Sequence, residues 1–465
     1  MTRHFDAIII GAGQAGPSLA GRLTGAGMTV AVIERHLIGG TCVNTGCKPT
    51  KTLVASAYVA HQARRGADYG VITGPVSIDM ARVHARSQKI SVDGRTSNEA
   101  WLRSMAGCTL IFGHARFEGA RTVRVGEDLL EADRVFINVG GRAVVPDMPG
   151  VGEVPFFTNS SLLSTDLLPD HLVVVGGSYI GLEFAQIYAR FGARVTVVEK
   201  GPRLIGREDA DVSDAVRSIL EAEGIAIRTG AECIHFAGHP NGVAVGLDCR
   251  EGEPEIIGSH LLLAVGRRPN TDDLGLEKGG VATDARGYIQ VNDRLETNVA
   301  GIWALGDCNG RGAFTHTAYN DFEIVAANLL DGEARGVSQR IPAYALYIDP
   351  PLGRVGITET EARASGRPLL VGHRPMTRVG RAVEKDETKG FMKVVVDAET
   401  SNILGAAILG TGGDEAIHGI LDVMNAGIPY TALQRAVPIH PTVSELIPTM
   451  LGEMRAVPQT GLSAP

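Results

Sequence analysis

The sequence predicts an α/β chain carrying two copies of one strand–glycine turn–helix–strand–acid unit, followed by a mixed α+β region. Three observations carry this prediction. One copy runs from residue 5 to Glu34 and another from Leu172 to Glu199. In both, the closing acid stands 23 positions after the first glycine of the turn. From about residue 341 the pattern gives way to strand-like and helical pieces without such a unit. At 465 residues the chain has room for roughly three domains of ~150 residues each.

The first unit opens with apolar residues 5–10, then Gly11-Ala12-Gly13-Gln14-Ala15-Gly16. A helix is expected over residues 17–26 and a strand over 28–33, ending in Glu34. This is the order of a dinucleotide fold. The helix start offers unpaired N–H groups to a pyrophosphate, and the acid accepts from ribose hydroxyls. Pro17 falls in the first helical turn, where it costs little. An ordinary glycine turn is the alternative for the hexapeptide alone; the strand, helix and acid around it argue against that.

Gly39-Gly40-Thr41-Cys42-Val43-Asn44-Thr45-Gly46-Cys47-Lys48-Pro49-Thr50-Lys51 comes next. Five positions of regular helix separate two α-carbons by more than about 7 Å, whereas a disulfide wants roughly 4.4–6.8 Å. A bridge between Cys42 and Cys47 therefore needs irregular backbone, which Gly46 and Pro49 permit. Such a bridge is reducible, a working bond and not a staple. Two small buried hydrophobes would read the same way at this point. Lys48 adds a cation beside the pair. It is expected to lower a thiolate pKa or attract an anionic substrate, with a solvent-facing lysine as the alternative.

Composition narrows the class. The net charge of −8 offers no basic field for nucleic acid or an anionic membrane. No apolar run approaches the ~18 residues of a membrane span, and residues 7–10 are too short for a signal core. A cytoplasmic location is expected. The six cysteines are not a secreted framework, so a persistent pair in a reducing compartment must be catalytic or regulatory. No metal site is expected.

The second unit has a strand at 172–175, then Gly176-Gly177-Ser178-Tyr179-Ile180-Gly181, a helix through about residue 191, and a strand at 194–198 ending in Glu199. Two such units suggest two dinucleotides. Ser178 replaces the middle glycine; its side chain crowds a pyrophosphate slightly or donates to it. Glu199 favours a free ribose 2′-hydroxyl and so NADH. Lys200, Arg203 and Arg207 could hold a 2′-phosphate, so NADPH stays open. Three more strands run into glycine: 135–139 into Gly140-Gly141, 261–265 into Gly266, and 302–305 into Gly306-Asp307. Ligands gather at such strand ends. Asp307 is therefore a candidate acceptor for a cofactor hydroxyl, or else a helix N-cap.

Beyond residue 341, strands are expected at 355–358, 391–396 and 403–409 and a helix at 414–426. His440 with Glu445 five residues on is a candidate oriented acid–base pair, although a lone His is more often structural. Residues 457–465 read as a loose tail.

Together, the Gly39–Lys51 stretch, the two fingerprints, Gly306-Asp307 and His440-Pro441-Thr442 with Glu445 resemble the pyridine-nucleotide disulfide oxidoreductases, which include glutathione reductase, dihydrolipoamide dehydrogenase and mercuric reductase. The resemblance covers nearly the whole chain. It implies two Rossmann-like dinucleotide-binding domains plus an α+β C-terminal dimerisation domain: FAD on 1–150 and 271–340, NAD(P)H on 151–270, and the homodimer interface on 341–465. It implies that nicotinamide reduces flavin and flavin reduces the Cys42–Cys47 bridge. Cys47 matches the flavin-side sulfur and Cys42 the interchange thiol. Lys51 matches the lysine near the flavin, Glu183 its carboxylate partner, and Tyr179 the aromatic cover of the nicotinamide pocket. His440 and Glu445 match an acid–base pair supplied by the other subunit. Thr41 and the glycine-turn residues complete the implied cofactor contacts.

Segments 347–356 and 314–321 resemble the mercuric-reductase branch. Against mercury as substrate, the end from Met450 to Pro465 has no cysteine, and His440 is kept. A small disulfide or another small oxidant is the expected partner. Reduction of a metal ion or quinone on the same scaffold is the alternative. A redox-sensing or complex-bound flavoprotein is a third reading, from another class.

Overall fold

A computed structural model describes residues 2–248 and 252–458. The expected loose tail falls, past residue 458, outside the described residues, as does Cys249.

The aliphatic run Ala7–Ile10, fully buried at the end of strand Thr2–Ile10, makes that strand the centre of the first sheet. Over Ala7–Ile10 it is buried on both faces, and it pairs in parallel with Val30–Glu34 on one side and Asp128–Ile137 on the other. Cys108–Phe112 extends the first edge. Ile302–Ala304 returns from far along the chain to pair in parallel with the end of Asp128–Ile137. A short antiparallel pair, Ala115–Gly119 and Thr122–Val125, occupies the other half of that strand's edge.

The second sheet is wholly parallel, in the order Ala226–Arg228, Arg194–Val198, His171–Val175, His260–Leu263. An antiparallel meander, Glu232–His239, Gly242–Asp248 and Glu255–Gly258, lies between its third and last strands in sequence. The C-terminal sheet has six antiparallel strands, ordered Ala343–Leu346, Leu352–Gly356, Ile403–Leu409, Phe391–Asp397, Leu369–Pro375, Arg455–Ala456.

Several boundaries differ from the sequence reading. The first helix is Ala15–Gly25, two residues early, with Pro17 still in its first turn. Strand Leu352–Gly356 ends before Thr358, because the Thr358 side chain caps helix Glu359–Ala364, with Glu361 answering it. The helix expected at 414–426 is two, Gly413–Ala416 and His418–Asn425, joined at Ile417. No helix among the described residues is long and apolar enough to cross a membrane.

Candidate functional site

Both glycine turns open onto one cleft of about 1500 Å³. Gly11 has φ +105°, and a Cβ there would stand 2.3 Å from the Asn138 carbonyl oxygen. Gly176 has φ +119°, and its Cβ would stand 2.4 Å from that of Ala264. Gly16 and Gly181 pack helix on strand: a Cβ on either would meet the carbonyl of Gly11 or Gly176, at 2.4 and 2.0 Å. These two residues, with Ala15 and Gly177, stand behind the cleft wall. Gly13, Gln14, Ser178, Tyr179 and Ile180 line it.

The middle position of each turn is free of such constraint. A Cβ on Gly13 would meet nothing closer than 3.6 Å, which is why Ser178 fits in the second turn. Ser178 is the N-cap of helix Tyr179–Phe191, yet its side chain makes no capping bond; the hydroxyl stays available to a ligand. Glu34, Glu199 and Lys200 also face the cleft, as do Gly140, Gly266 and Asp307 at their strand ends. Asp307 lies in the turn Gly306–Asn309 and does not cap the helix Thr315–Ala326. Burial pushes its carboxyl up, against the pull of Arg267, whose Nε lies 3.6 Å away.

The cysteine stretch forms two helices, Gly40–Asn44 and Cys47–Arg65. The break falls at Gly46, where a Cβ would approach the Thr41 carbonyl oxygen to 2.9 Å. This is the irregular backbone that the spacing required. Cys42 and Cys47 are free thiols in this structure, within hydrogen-bonding reach of each other. Cys47 is the first residue of its 19-residue helix, where the unpaired N–H groups favour a thiolate. Its thiol is lowered to about 6, chiefly by the hydrogen bond from Cys42, with Thr315 and the Lys51 charge adding to this against burial. The Thr315 hydroxyl is 3.0 Å from the Cys47 sulfur. Cys42 is pushed far up by the same hydrogen bond between the two sulfurs and by burial. The Lys48 charge lowers the Cys42 thiol, while among the leading influences on Cys47 the lysine is Lys51.

Lys51 Nζ lies 2.6 Å from the buried Glu183 carboxylate and 4.5 Å from the Tyr347 ring centre. The other Glu183 oxygen accepts the Tyr347 N–H at 3.0 Å. Thr41 sits at the cleft floor, 3.4 Å from the Gly141 carbonyl. His440 Nδ1 and Glu445 Oε2 are 2.8 Å apart, but the His440 side chain is 80% exposed and neither residue lines the cleft. Sequence reasoning missed Thr315 and Arg267 as site residues. Thr315 is 268 positions from Cys47, and no local signal links them.

The glycine cradles, paired acids and cysteine pair fit two dinucleotides meeting at a dithiol. The profile described as pyridine nucleotide-disulphide oxidoreductase matches residues 5–321, and that of the family's dimerisation domain matches 342–451. The chain belongs to the pyridine nucleotide-disulphide oxidoreductase family. The probable pyridine nucleotide-disulfide oxidoreductase RclA of Escherichia coli is 36% identical over 450 residues, spanning 95% of this chain and 97% of that protein. Dihydrolipoyl dehydrogenase of Thermus scotoductus is 34% identical over 445 residues, spanning 95% and 96%. Mercuric reductase of Bacillus cereus is 31% identical over 444 residues, spanning 95% of this chain and 70% of that one. The solved Cu(II) complex of the HOCl-induced flavoprotein disulfide reductase RclA from Escherichia coli superposes with a TM-score of 0.88 at 35% identity, covering 96% of this chain and 99% of that one. As a member of this family the chain is a flavoprotein oxidoreductase that uses FAD and a pyridine nucleotide.

Proposed function

We propose that this enzyme is a homodimer that takes electrons from NADH and reduces a small disulfide through Cys42 and Cys47. The observation that carries this reading is the Cys42–Cys47 pair, brought together across a helix break. Cys47 stands at the start of its helix, 3.0 Å from the Thr315 hydroxyl, and the hydrogen bond from Cys42, with Thr315, lowers its thiol to about 6. In this reading FAD lies along the first glycine turn and Glu34, on residues 1–150 and 271–340, and NADH along the second turn and Glu199, on 151–270. Held along these residues, FAD would supply two-electron redox chemistry linking the nicotinamide to the Cys42–Cys47 pair. Lys51 and its partner Glu183 place a cation where negative charge gathers.

The chain's residues then handle protons. Cys47 rests as the thiolate. Cys42 must lose its proton to attack the substrate disulfide, forming a mixed disulfide and releasing one thiol. Cys47 then attacks the Cys42 sulfur, which closes the bridge and expels the second thiol. A base is needed at Cys42, and a proton at the leaving thiol. His440, its Nδ1 fixed by Glu445, leaves Nε2 to do both. We assign this pair to the partner subunit's cleft, since residues 341–465 form the proposed dimer interface. Glu199 supports NADH over NADPH: its carboxylate accepts the N–H of Gly177 and of Gly201, both at 2.6 Å, and so faces the ribose position with acceptors.

The RclA structure bound to Cu(II) and the mercuric reductases favour a second reading, reduction of a metal ion at the same thiols. The test is His440→Ala with a disulfide and with Cu(II) as acceptors. A disulfide reductase should lose about 10²–10⁴-fold in disulfide turnover and keep metal reduction. An unchanged disulfide rate would sink the first reading.

A further inference from the structure

The second dinucleotide unit is tied to the C-terminal sheet by a buried ionic cluster that the chemistry above does not use. The Glu208 and Arg354 side chains are 0% and 1% exposed. One Glu208 oxygen accepts from Arg354 Nε at 3.0 Å and from its Nη2; the other accepts the Tyr344 hydroxyl at 2.6 Å. Asp209 accepts the N–H of Glu359 and of Thr360 at 3.0 and 2.9 Å and pairs with Lys393 at 2.9 Å. Arg354 Nη1 has no hydrogen-bond partner among the described residues. Burying such pairs is a poor route to stability, so the cluster invites the question of what it positions.

Two connections lead from it to the cleft. The first is aromatic. Tyr344 gives its proton to Glu208, and its oxygen lies within hydrogen-bonding reach of the Tyr179 hydroxyl. The two rings meet edge-on with centres 5.5 Å apart, and Phe314 stacks on Tyr344 at 5.6 Å while meeting Tyr179 edge-on at 6.2 Å. Tyr179 is thus boxed by residues that the cluster fixes. The second is backbone. The Glu208 N–H binds the Ile205 carbonyl, and the Ile205 N–H binds the Gly177 carbonyl, both at 2.8 Å. Ile205 has φ +41°. That left-handed conformation is foreign to a β-branched residue and persists only where the surroundings over-determine it. Gly206 and Arg207, next in the chain, line the cleft.

We infer that Tyr344, Glu208 and Arg354 are positioning residues for the nicotinamide: they hold the Tyr179 ring and the loop 204–208 in place beside the second glycine turn, so that hydride entry depends on the C-terminal sheet. This rests on the reading of Tyr179 as the cover of the nicotinamide pocket.

The test uses the FAD-loaded full chain and the variants Tyr344→Phe and Tyr179→Ala. Flavin reduction by NADH is followed by anaerobic stopped flow. Reoxidation of the dithionite-reduced enzyme by a small aromatic disulfide is followed separately. Amide hydrogen exchange reads loop 204–208 in the oxidised protein without nucleotide. Tyr344→Phe should slow flavin reduction about tenfold through loss of one buried hydrogen bond, speed exchange in the loop severalfold, and leave reoxidation unchanged. Tyr179→Ala should slow flavin reduction as well. If Tyr179→Ala is reduced at the native rate, the Tyr179 reading falls and takes the inference with it. If Tyr179→Ala is slowed but Tyr344→Phe changes neither reduction nor exchange, the inference alone is overturned. Equal slowing of both half-reactions by Tyr344→Phe would make the cluster a fold support and likewise overturn it.

Discussion

Glu34 and Glu199 perform the same task in two places. Glu34 accepts the N–H of Ala12 at 3.0 Å and of His36 at 2.9 Å; Glu199 accepts those of Gly177 and Gly201, both at 2.6 Å. Each carboxylate thus ties the residue after its unit's first glycine to the residue two places beyond itself. The chain beyond the acid takes a different course in each unit. After Glu34 it folds back over its own turn: a Cβ on Gly40 would stand 2.8 Å from the Gly13 α-carbon, and the two cysteine helices come directly afterwards. After Glu199 comes an exposed Lys200 and a loop that crosses beside the turn and is anchored to another sheet through Glu208. A group enclosed by its own binding segment stays bound through many turnovers. A group beside a loop that does not fold back over its own turn can be exchanged. On the proposed reading, the same local plan serves a resident cofactor in the first unit and a passing co-substrate in the second.

The strongest way to break this comparison is to damage both turns identically. Gly11→Ala and Gly176→Ala each add a Cβ about 2.3–2.4 Å from a backbone carbonyl oxygen at positive φ. Gly11→Ala should purify colourless. Gly176→Ala should stay yellow, with flavin reduction by NADH at least about 100-fold slower, as expected of a local clash and strain of several kcal/mol. Absorbance per protein and anaerobic reduction check both. Equal flavin loss in the two would mean that the units are not divided in this way.

A smaller effect concerns the thiols between the units. In the two-electron-reduced, FAD-loaded enzyme, the long-wavelength absorbance of the thiolate should fade as pH falls through about 6, because Cys47 then takes up a proton. Lys51→Met should move that midpoint upward more than Lys48→Ala does, since the Lys51 charge acts on Cys47 and the Lys48 charge on Cys42. A larger shift from Lys48→Ala would reverse the assignment.

The smallest effect sharpens the nucleotide side. Glu199→Gln should cost about tenfold in kcat/KM for NADH through the weakened ribose bonds and change NADPH little. Steady-state kinetics with both nucleotides decide it.

The two units were legible in the sequence because their demands are local. A turn that brings a backbone within van der Waals contact of another strand admits only glycine, and an acid a fixed distance away closes it. The broken helix between Cys42 and Cys47 could be inferred because regular backbone cannot bring five-spaced sulfurs together. Thr358 was misread as strand because its role is a side-chain bond to its own backbone, which β-branched character conceals. Thr315, Tyr344 and the Arg354–Glu208 pair carry no short-range signal. Arg354 is 146 positions from Glu208, and an arginine between Gly353 and Val355 reads like any strand residue until the fold buries it.

Glu183 ties the molecule together in another way. Its carboxylate receives Lys51 from the cysteine helix and the Tyr347 N–H from the edge of the C-terminal sheet, while its own helix belongs to the second unit. Three regions of the chain are thus pinned at one point whose anion is 6% exposed. Swinging them apart on a hinge would break the Lys51 and Tyr347 contacts together and leave the carboxylate to water. That shared anchor opposes separation of the three regions, so the cleft between them keeps its width more readily than its side chains keep their rotamers.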